Sequence, residues 1–384
     1  MNQFHWIEAK QLDRVTNYST EVEPIKYAMN NNIKAYYYCT FAKTKKDFGL
    51  NGHIIYLGFF KNKYFKSIEF RLLVVFKAVS IILREKDSVV MVNQNLIKHM
   101  LPAMFLNKLF NRKNKFITDI RTTPTNPDNF ESDMNTFHVQ FKMAVKYFHA
   151  FSFITPFMEK YIMSKYNLSQ YNSVNWSSGV DINLFNPEKY QSKKHTKVFQ
   201  LFYHGGISLS RGNLDLIKAV QKLKNEGYAV ELVQVGICVD KEIKYYINDN
   251  KLETWCKLLP PVPLSVIPEF IAKCDLPILP FPNFMAWRVS SPIKLMEYLA
   301  MGKKVMAPNM EAFTDVFGTD SELVFYFDTN HPNQVEAIAE KLKAILDEKI
   351  LNKGNYFPQA RKFVSENYTW EKQSEKLFNF CKAI

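Results

Sequence analysis

Residues 290–308 read Ser290-Ser-Pro-Ile-Lys-Leu-Met-Glu-Tyr-Leu-Ala-Met-Gly-Lys-Lys-Val-Met-Ala-Pro308. Ile293, Met296, Leu299 and Ala300 recur at helical spacing and make one apolar face. Ser291 suits an N-cap, Pro292 the first helical position, and Gly302 the end of the helix. The apolar run Lys303–Pro308 then reads as a strand. Lys294 and Glu297 stand i, i+3 on the other side of the helix. Alone they suggest an exposed ion pair worth about 0.2–0.5 kcal/mol. Alternatively, the helix start holds an anion and the glutamate holds a polar group.

The same alternation extends outward in both directions. Upstream lie strand-like KVFQLFY, AVELVQVG and LPILPF, with helical patterns over Asn213–Asn225 and PLSVIPEFIAKCD. Downstream come the strand ELVFYF, a helix carrying Val335, Ile338, Ala339, Leu342 and Leu346, and a last helix over Trp370–Ile384 capped by Thr369. In the first half, IKAYYYCTF, GHIIYLGFF, DSVVMVN, KFITDIR and AFSFITP read as buried strands between helices at Glu21–Asn31, Ser67–Arg84 and Met134–Phe148. Strands alternating with helices imply an α/β fold with parallel sheets. A chain of 384 residues favours two domains. The polar stretch Asn186–Lys197 reads as their linker. The expected architecture is two Rossmann-like doubly wound domains with an inter-domain cleft: residues 1–190, residues 191–365, and a helix over 366–384 crossing back to the first.

Charge is distributed unevenly. The net charge is +13, and between Asn51 and Ile120 twelve Lys or Arg face four acidic residues. That surplus points to an anionic neighbour: a membrane surface, a lipid phosphate or nucleic acid. No nucleic-acid-binding module accompanies it, so nucleic acid is not an expected partner. The five cysteines are scattered without a C-x-x-C pair, which suggests neither a disulfide framework nor a zinc site. The N-terminus lacks the pattern of a signal peptide, and Phe70–Leu83 is too short and too charged to span a bilayer. The expected location is cytoplasmic, including the inner face of the membrane. The helix over Ser67–Arg84 is apolar nearly all round, the usual mark of a core helix.

A second stretch carries chemistry. In FYHGGISLSRGNLDLIKAV a strand ends at Tyr203, a Gly-Gly turn follows, and a helix opens near Asn213 with Arg211-Gly212 at its mouth. An arginine at a helix start is locally unfavourable, since that end already carries partial positive charge. It becomes sensible if an anion sits there; taken alone, a tight turn with a solvated arginine reads equally well, since the helix-dipole cost is only about 0.3–1 kcal/mol. The pattern is neither G-x-G-x-x-G nor a Walker loop. Both helix starts follow parallel strands of one domain, whose carboxyl ends form a ligand crevice. A diphosphate at the first and a ribose at Glu297 would use both.

These segments, together with WSSGVDINLFNP, resemble the signature regions of retaining glycosyltransferases of family 4, which have the GT-B fold. FITDIRTTP, FSFITPFMEKYIMSKYNL and PLSVIPEFIAKCDLPILPFP support the resemblance, which runs from about Phe116 to Leu346. It implies sugar transfer from a nucleoside diphosphate sugar to an acceptor hydroxyl of a glycan or lipid-linked glycan. The anomeric configuration is retained, no separate nucleophile is needed, and no metal or other cofactor is required. The absence of any D-x-D sequence fits the last point.

Position by position, the resemblance gives Gly205 and Gly206 the turn against which the donor lies, and Arg211 the diphosphate. Glu297 takes the ribose, and Ser290 and Ser291 the loop facing the diphosphate. Lys294 adds leaving-group stabilisation, Arg121 stands where relatives place a donor-touching histidine, and Leu258 and Leu259 lie where backbone reads the base. The family's first motif glutamate falls at Val289, where Arg288 or backbone groups would substitute. The arginine that often follows the first glycine is Gly206, and KQLDRVTNYST replaces the family's first glycine-rich loop. These departures leave a second reading open: a catalytically impaired protein of the same fold that binds nucleotide-sugar or glycan within a complex. A nucleotide-sugar epimerase shares the fold but relies on cleft carboxylates, which Val289 does not favour.

Overall fold

The structure, a computed structural model, describes residues 1–12, 18–40, 47–59, 62–124, 129–190, 198–291, 293–348 and 356–384. The chain divides into two compact units: Met1–Ser178 with Trp370–Ile384, and Gly179–Thr369.

The first unit holds seven parallel strands: β1 (Gln3–Ile7), β2 (Ala35–Thr40), β3 (Ile54–Leu57), β4 (Ser88–Asn93), β5 (Lys115–Ile120), β6 (Ala150–Phe153) and β7 (Ser173–Asn175). Their order is β3-β2-β1-β4-β5-β6-β7, with Phe4 opposite both Ala35 and Val89. The strand order therefore reverses between β1 and β4. The central strand, β1, has no alternating pattern because it is covered on both faces, with Phe4, His5, Trp6 and Ile7 all buried. The last helix, Trp370–Ala383, completes this core. Its Phe378 meets Phe4 edge-on at 5.0 Å, and Gln373 accepts the Ser177 N–H at 2.6 Å.

The helix Lys63–Arg84 departs from the core-helix expectation. Phe70, Val74, Ala78 and Ile81 are buried, but Phe65, Ile68, Leu72 and Phe76 are 56–69% exposed and share one face. Its apolar sequence thus serves a core on one side and leaves a hydrophobic stripe on the other. Among the described residues no helix is long and apolar enough to cross a membrane.

The second unit holds β8 (Phe199–His204), β9 (Val230–Val235), β10 (Cys256–Leu259), β11 (Leu276–Pro277), β12 (Val305–Pro308) and β13 (Val324–Phe327). Four pair in the order β10-β9-β8-β11 and two as β12-β13. A bridge between Ile278 and Met306 joins the two sets, so the strands again run third, second, first, fourth, fifth, sixth. This is the doubly wound order, and it reverses between β8 and β11. Pro277 and Pro280 lack N–H groups, which limits β11 to two residues where LPILPF had suggested a longer strand.

The units part after Ser178, earlier than the linker reading at residues 186–197, of which 191–197 lie outside the described residues. Side-chain burial explains the position. Phe185 is buried in the second core, and Val180 bridges Thr369. Arg361 donates to the carbonyls of Phe185 (2.6 Å), Ala300 (2.8 Å) and Ile182 (3.0 Å), fastening 179–185 to this unit.

Candidate functional site

The site is built at the carboxyl end of β8, beside the point where strand order reverses. There His204, Gly205 and Gly206 follow one another, and each faces a different charged side chain. His204 Nε2 lies 3.0 Å from Glu297 Oε2. A Cβ on Gly205 would overlap Lys294 Cε and lie 2.9 Å from its Nζ. A Cβ on Gly206 would lie 3.5 Å from Arg211 Cζ. One carboxylate and two cations are thereby ranged along three consecutive residues.

Two helices supply these groups. Helix Ile293–Ala300 carries Lys294 and Glu297, one turn apart. Glu297 is 3% exposed, so the surface Lys–Glu pair that its spacing allowed does not form; the carboxylate turns inward to His204. Residues 295–300 are all buried because this helix packs within the unit rather than over it. Neither His204 Nε2 nor Glu297 Oε2 has an aligned hydrogen-bond partner, and both atoms are buried. The two atoms face each other without hydrogen-bond alignment, so a polar ligand reaching this pair would complete its hydrogen bonding.

The second helix, Asn213–Asn225, presents Arg211 just before its start. Gly212 makes this possible: at φ +74° it turns the chain into the helix, and any Cβ there would overlap the Pro280 carbonyl oxygen. The turn is held from within, as Asn213 Oδ1 accepts the Ser208 N–H (3.0 Å) and its Nδ2 donates to Gln234 Oε1 (2.8 Å). The Arg211 guanidinium lies over the Trp287 ring at 5.3 Å, and Trp287 Nε1 donates to the Ser210 carbonyl at 2.9 Å. Tyr203 donates its hydroxyl to the Gly206 carbonyl (2.8 Å), and Tyr298 accepts the His204 N–H (3.2 Å).

Electrostatics mark Lys294. Burial, reinforced by Arg211 nearby, lowers its pKa to about 7, against a smaller opposing pull from Glu297. Lys294 and Arg211, both half-buried, thus lie close enough for the arginine to disfavour the charged form of the lysine. An anion placed between them would supply a counter-charge.

The remaining expected residues are placed as follows. Ser290 donates to the Trp287 carbonyl (2.9 Å), and Ser291 is half-buried; Pro292 lies outside the described residues. Arg288 is paired with Glu311, Nε to Oε2 at 2.8 Å and Nη2 to Oε1, so its guanidinium is already held by a carboxylate. Val289 is fully buried. The Leu259 carbonyl accepts the Gly236 N–H (3.0 Å), while Leu258 packs against the core. Arg121 belongs to the first unit, at the end of β5. Its guanidinium lies 4.1 Å over the Trp176 ring, and its Nη1 and Nη2 are buried without hydrogen-bond partners. Sequence reasoning missed His204, Trp287 and Tyr298, which sit among apolar residues in strand and helix patterns. The adjacency of His204 to the Gly-Gly turn was the available signal.

Residues 185–367 match the model of the family described as "Glycosyl transferases group 1". No protein of curated description matches the chain. Among solved structures, a glycosyltransferase from Rickettsia africae aligns at TM-score 0.72 and 17% identity, covering 100% of this chain and 99% of that one. HepE of Anabaena, solved with UDP and glucose, aligns at TM-score 0.69 and 14% identity, covering 100% of both chains. Sucrose-phosphate synthase of Thermosynechococcus elongatus gives TM-score 0.71 and 12% identity over 99% of this chain and 98% of that one. The chain has the GT-B fold of these glycosyltransferases, and its second unit is similar in sequence to glycosyl transferases group 1.

Proposed function

We propose that the protein transfers a sugar from a nucleoside diphosphate sugar to an acceptor hydroxyl, with retention at the anomeric carbon. The observation that carries this reading is the row of Glu297, Lys294 and Arg211 along His204, Gly205 and Gly206. The two cations take the diphosphate, whose charge grows as the anomeric carbon–oxygen bond breaks, so they stabilise the departing nucleotide. Glu297 accepts hydrogen bonds from the ribose hydroxyls. The glycines let the donor lie against bare backbone. With two fixed cations on the diphosphate, the reading includes no metal.

Arg121, with two unpartnered buried nitrogens, is assigned to the donor sugar or acceptor. The acceptor is a glycan or lipid-linked glycan used in polysaccharide assembly. The exposed stripe of Phe65, Ile68, Leu72 and Phe76, within a segment rich in Lys and Arg, favours work at an anionic membrane surface.

A panel of UDP-, GDP- and ADP-sugars tests the donor reading by thermal shift and by release of nucleoside diphosphate. UDP comes first because HepE was solved with UDP-glucose. Stabilisation by one sugar nucleotide with slow turnover is expected, and no response to any of them would refute the reading. The burial of Val289 at the position of the family's first glutamate favours a second reading, a binding protein without turnover. Nucleotide binding with no hydrolysis or transfer would select it.

A further inference from the structure

Positive charge and apolar exposure are concentrated in the same unit. Met1–Ser178 with Trp370–Ile384 holds 27 Lys and Arg against 15 Asp and Glu, whereas Gly179–Thr369 holds 23 against 22. Nearly all of the net charge therefore sits in the first unit. Among the described residues, ten of the eighteen exposed large apolar side chains lie between Phe59 and Phe110, so they cluster there too. Two helices carry most of them. On Lys63–Arg84, Ile68, Leu72, Phe76 and Leu83 line the face opposite buried Phe70, Val74, Ala78 and Ile81. The helix Leu101–Leu109 packs beside it, with Phe105 and Leu109 opposite buried Ala103 and Asn107. Both stripes thus face away from the core, and their six residues are 51–69% exposed. Exposed Arg71, Arg84 and Lys108 border them.

We propose that these two helices form one docking face that lies flat on an anionic bilayer. Ile68, Leu72, Phe76, Leu83, Phe105 and Leu109 enter the acyl boundary, and Arg71, Arg84 and Lys108 stay level with the lipid phosphates. A single exposed apolar residue is ordinary, but a patch spread over two neighbouring helices marks an interaction surface. Charge decides the occupant. A second copy seated on this face would set the same cations against themselves. An anionic bilayer meets both features at once, and each Lys or Arg near its surface is worth about 1 kcal/mol. Charge also decides the orientation. Lys66, Arg71, Lys77 and Arg84 are spaced along the whole of the first helix, so end-on insertion would carry cations into hydrocarbon. A helix in the plane keeps them in the head groups. The inference deepens the membrane element of the proposed function and rests on it, while standing apart from the nucleotide site of the second unit.

The test sediments the full chain with vesicles of phosphatidylcholine alone and of phosphatidylcholine mixed with phosphatidylglycerol. Binding to the mixed vesicles and not to the neutral ones is expected. Leu72→Ser/Phe76→Ser and Phe105→Ser/Leu109→Ser, all at exposed positions, should each weaken it about tenfold or more. Phe76→Trp should keep it, and brominated lipid in the mixed vesicles should quench the added fluorescence, which reports entry into the bilayer rather than folding. No binding to the mixed vesicles, or binding unchanged in both serine variants, overturns the proposal. So does a dimer, seen by light scattering, that the serine variants split. UDP titrated into the same preparations reports separately on the second unit: its failure would sink the nucleotide reading and leave the vesicle result standing.

Discussion

Lys294 is the residue whose chemistry is most diagnostic. Its folded pKa of about 7 lies below the ordinary lysine value near 10.4, so in the empty site it is about half charged at neutral pH. A diphosphate restores the charge and so draws in a proton. Between pH 7 and about 10, nucleotide binding should take up as much as one proton and weaken as pH rises. Calorimetry of UDP binding in two buffers of different ionisation enthalpy counts that proton, and Lys294→Met should abolish it. In the proposed reading Glu297 acts on a different part of the ligand, the ribose. Glu297→Gln should weaken UDP about tenfold or more, on the order of 1.5–3 kcal/mol for a hydrogen bond to a charged group. Inorganic pyrophosphate, which lacks a ribose, should bind the variant as it binds the parent.

Glu8 gives the first unit a separate signature. Burial, with the neighbouring Glu21 carboxyl, pushes its pKa up to about 7, although the Tyr37 hydroxyl donates to it at 3.1 Å. The folded value exceeds the unfolded one, near 4.3. Its contribution to stability is therefore complete below pH 4.3 and is lost as pH rises through 7. Glu8→Gln should accordingly raise stability relative to the parent at pH 8, by on the order of 1–3 kcal/mol, and far less at pH 5. Denaturant melts at the two pH values check the sign.

At the scale of elements, the helix Ile293–Ala300 shows what its sequence gave away and what it withheld. Its apolar spacing and its terminal Gly302 were legible, and the helix forms there. The direction of Glu297 was not legible. Spacing marks a face as polar but does not tell whether the next element supplies a buried partner, and His204 comes from a strand 93 positions away. The helix also depends on Arg361, which donates to the Ala300 carbonyl at its end as well as to Phe185 and Ile182. Arg361→Met removes the donors from those carbonyls and should cost about 2–4 kcal/mol, measured by chemical denaturation. Nucleotide affinity should fall with the helix, because Lys294 and Glu297 ride on it. In the first unit, β1 escaped alternation-based reading because both of its faces are covered, and the helix Lys63–Arg84 reads as core on both sides while burying only one.

At the scale of the molecule, two sheets of the same winding order are encoded by the repeated alternation of strand and helix, which is why the architecture could be read from the sequence. The division point could not, because a polar linker announces itself by composition while Val180, Phe185 and Arg361 act through contacts distant in sequence. The return of Trp370–Ala383 to the first unit has a measurable consequence. Phe378 is fully buried there against Phe4. A chain ended at Thr369 should lose cooperative unfolding of the first unit, and UDP should still protect the second from proteolysis.

The central claim is that Arg211, Lys294 and Glu297 form one nucleoside diphosphate site around residues 204–206. Titration of UDP, GDP and ADP into the protein and into Arg211→Ala and Glu297→Ala tests it most directly. One nucleotide should bind the parent, and each substitution should weaken it at least tenfold while the variant still unfolds in a cooperative transition. Equal binding by parent and both variants, or no binding of any of the three to the parent, would contradict it.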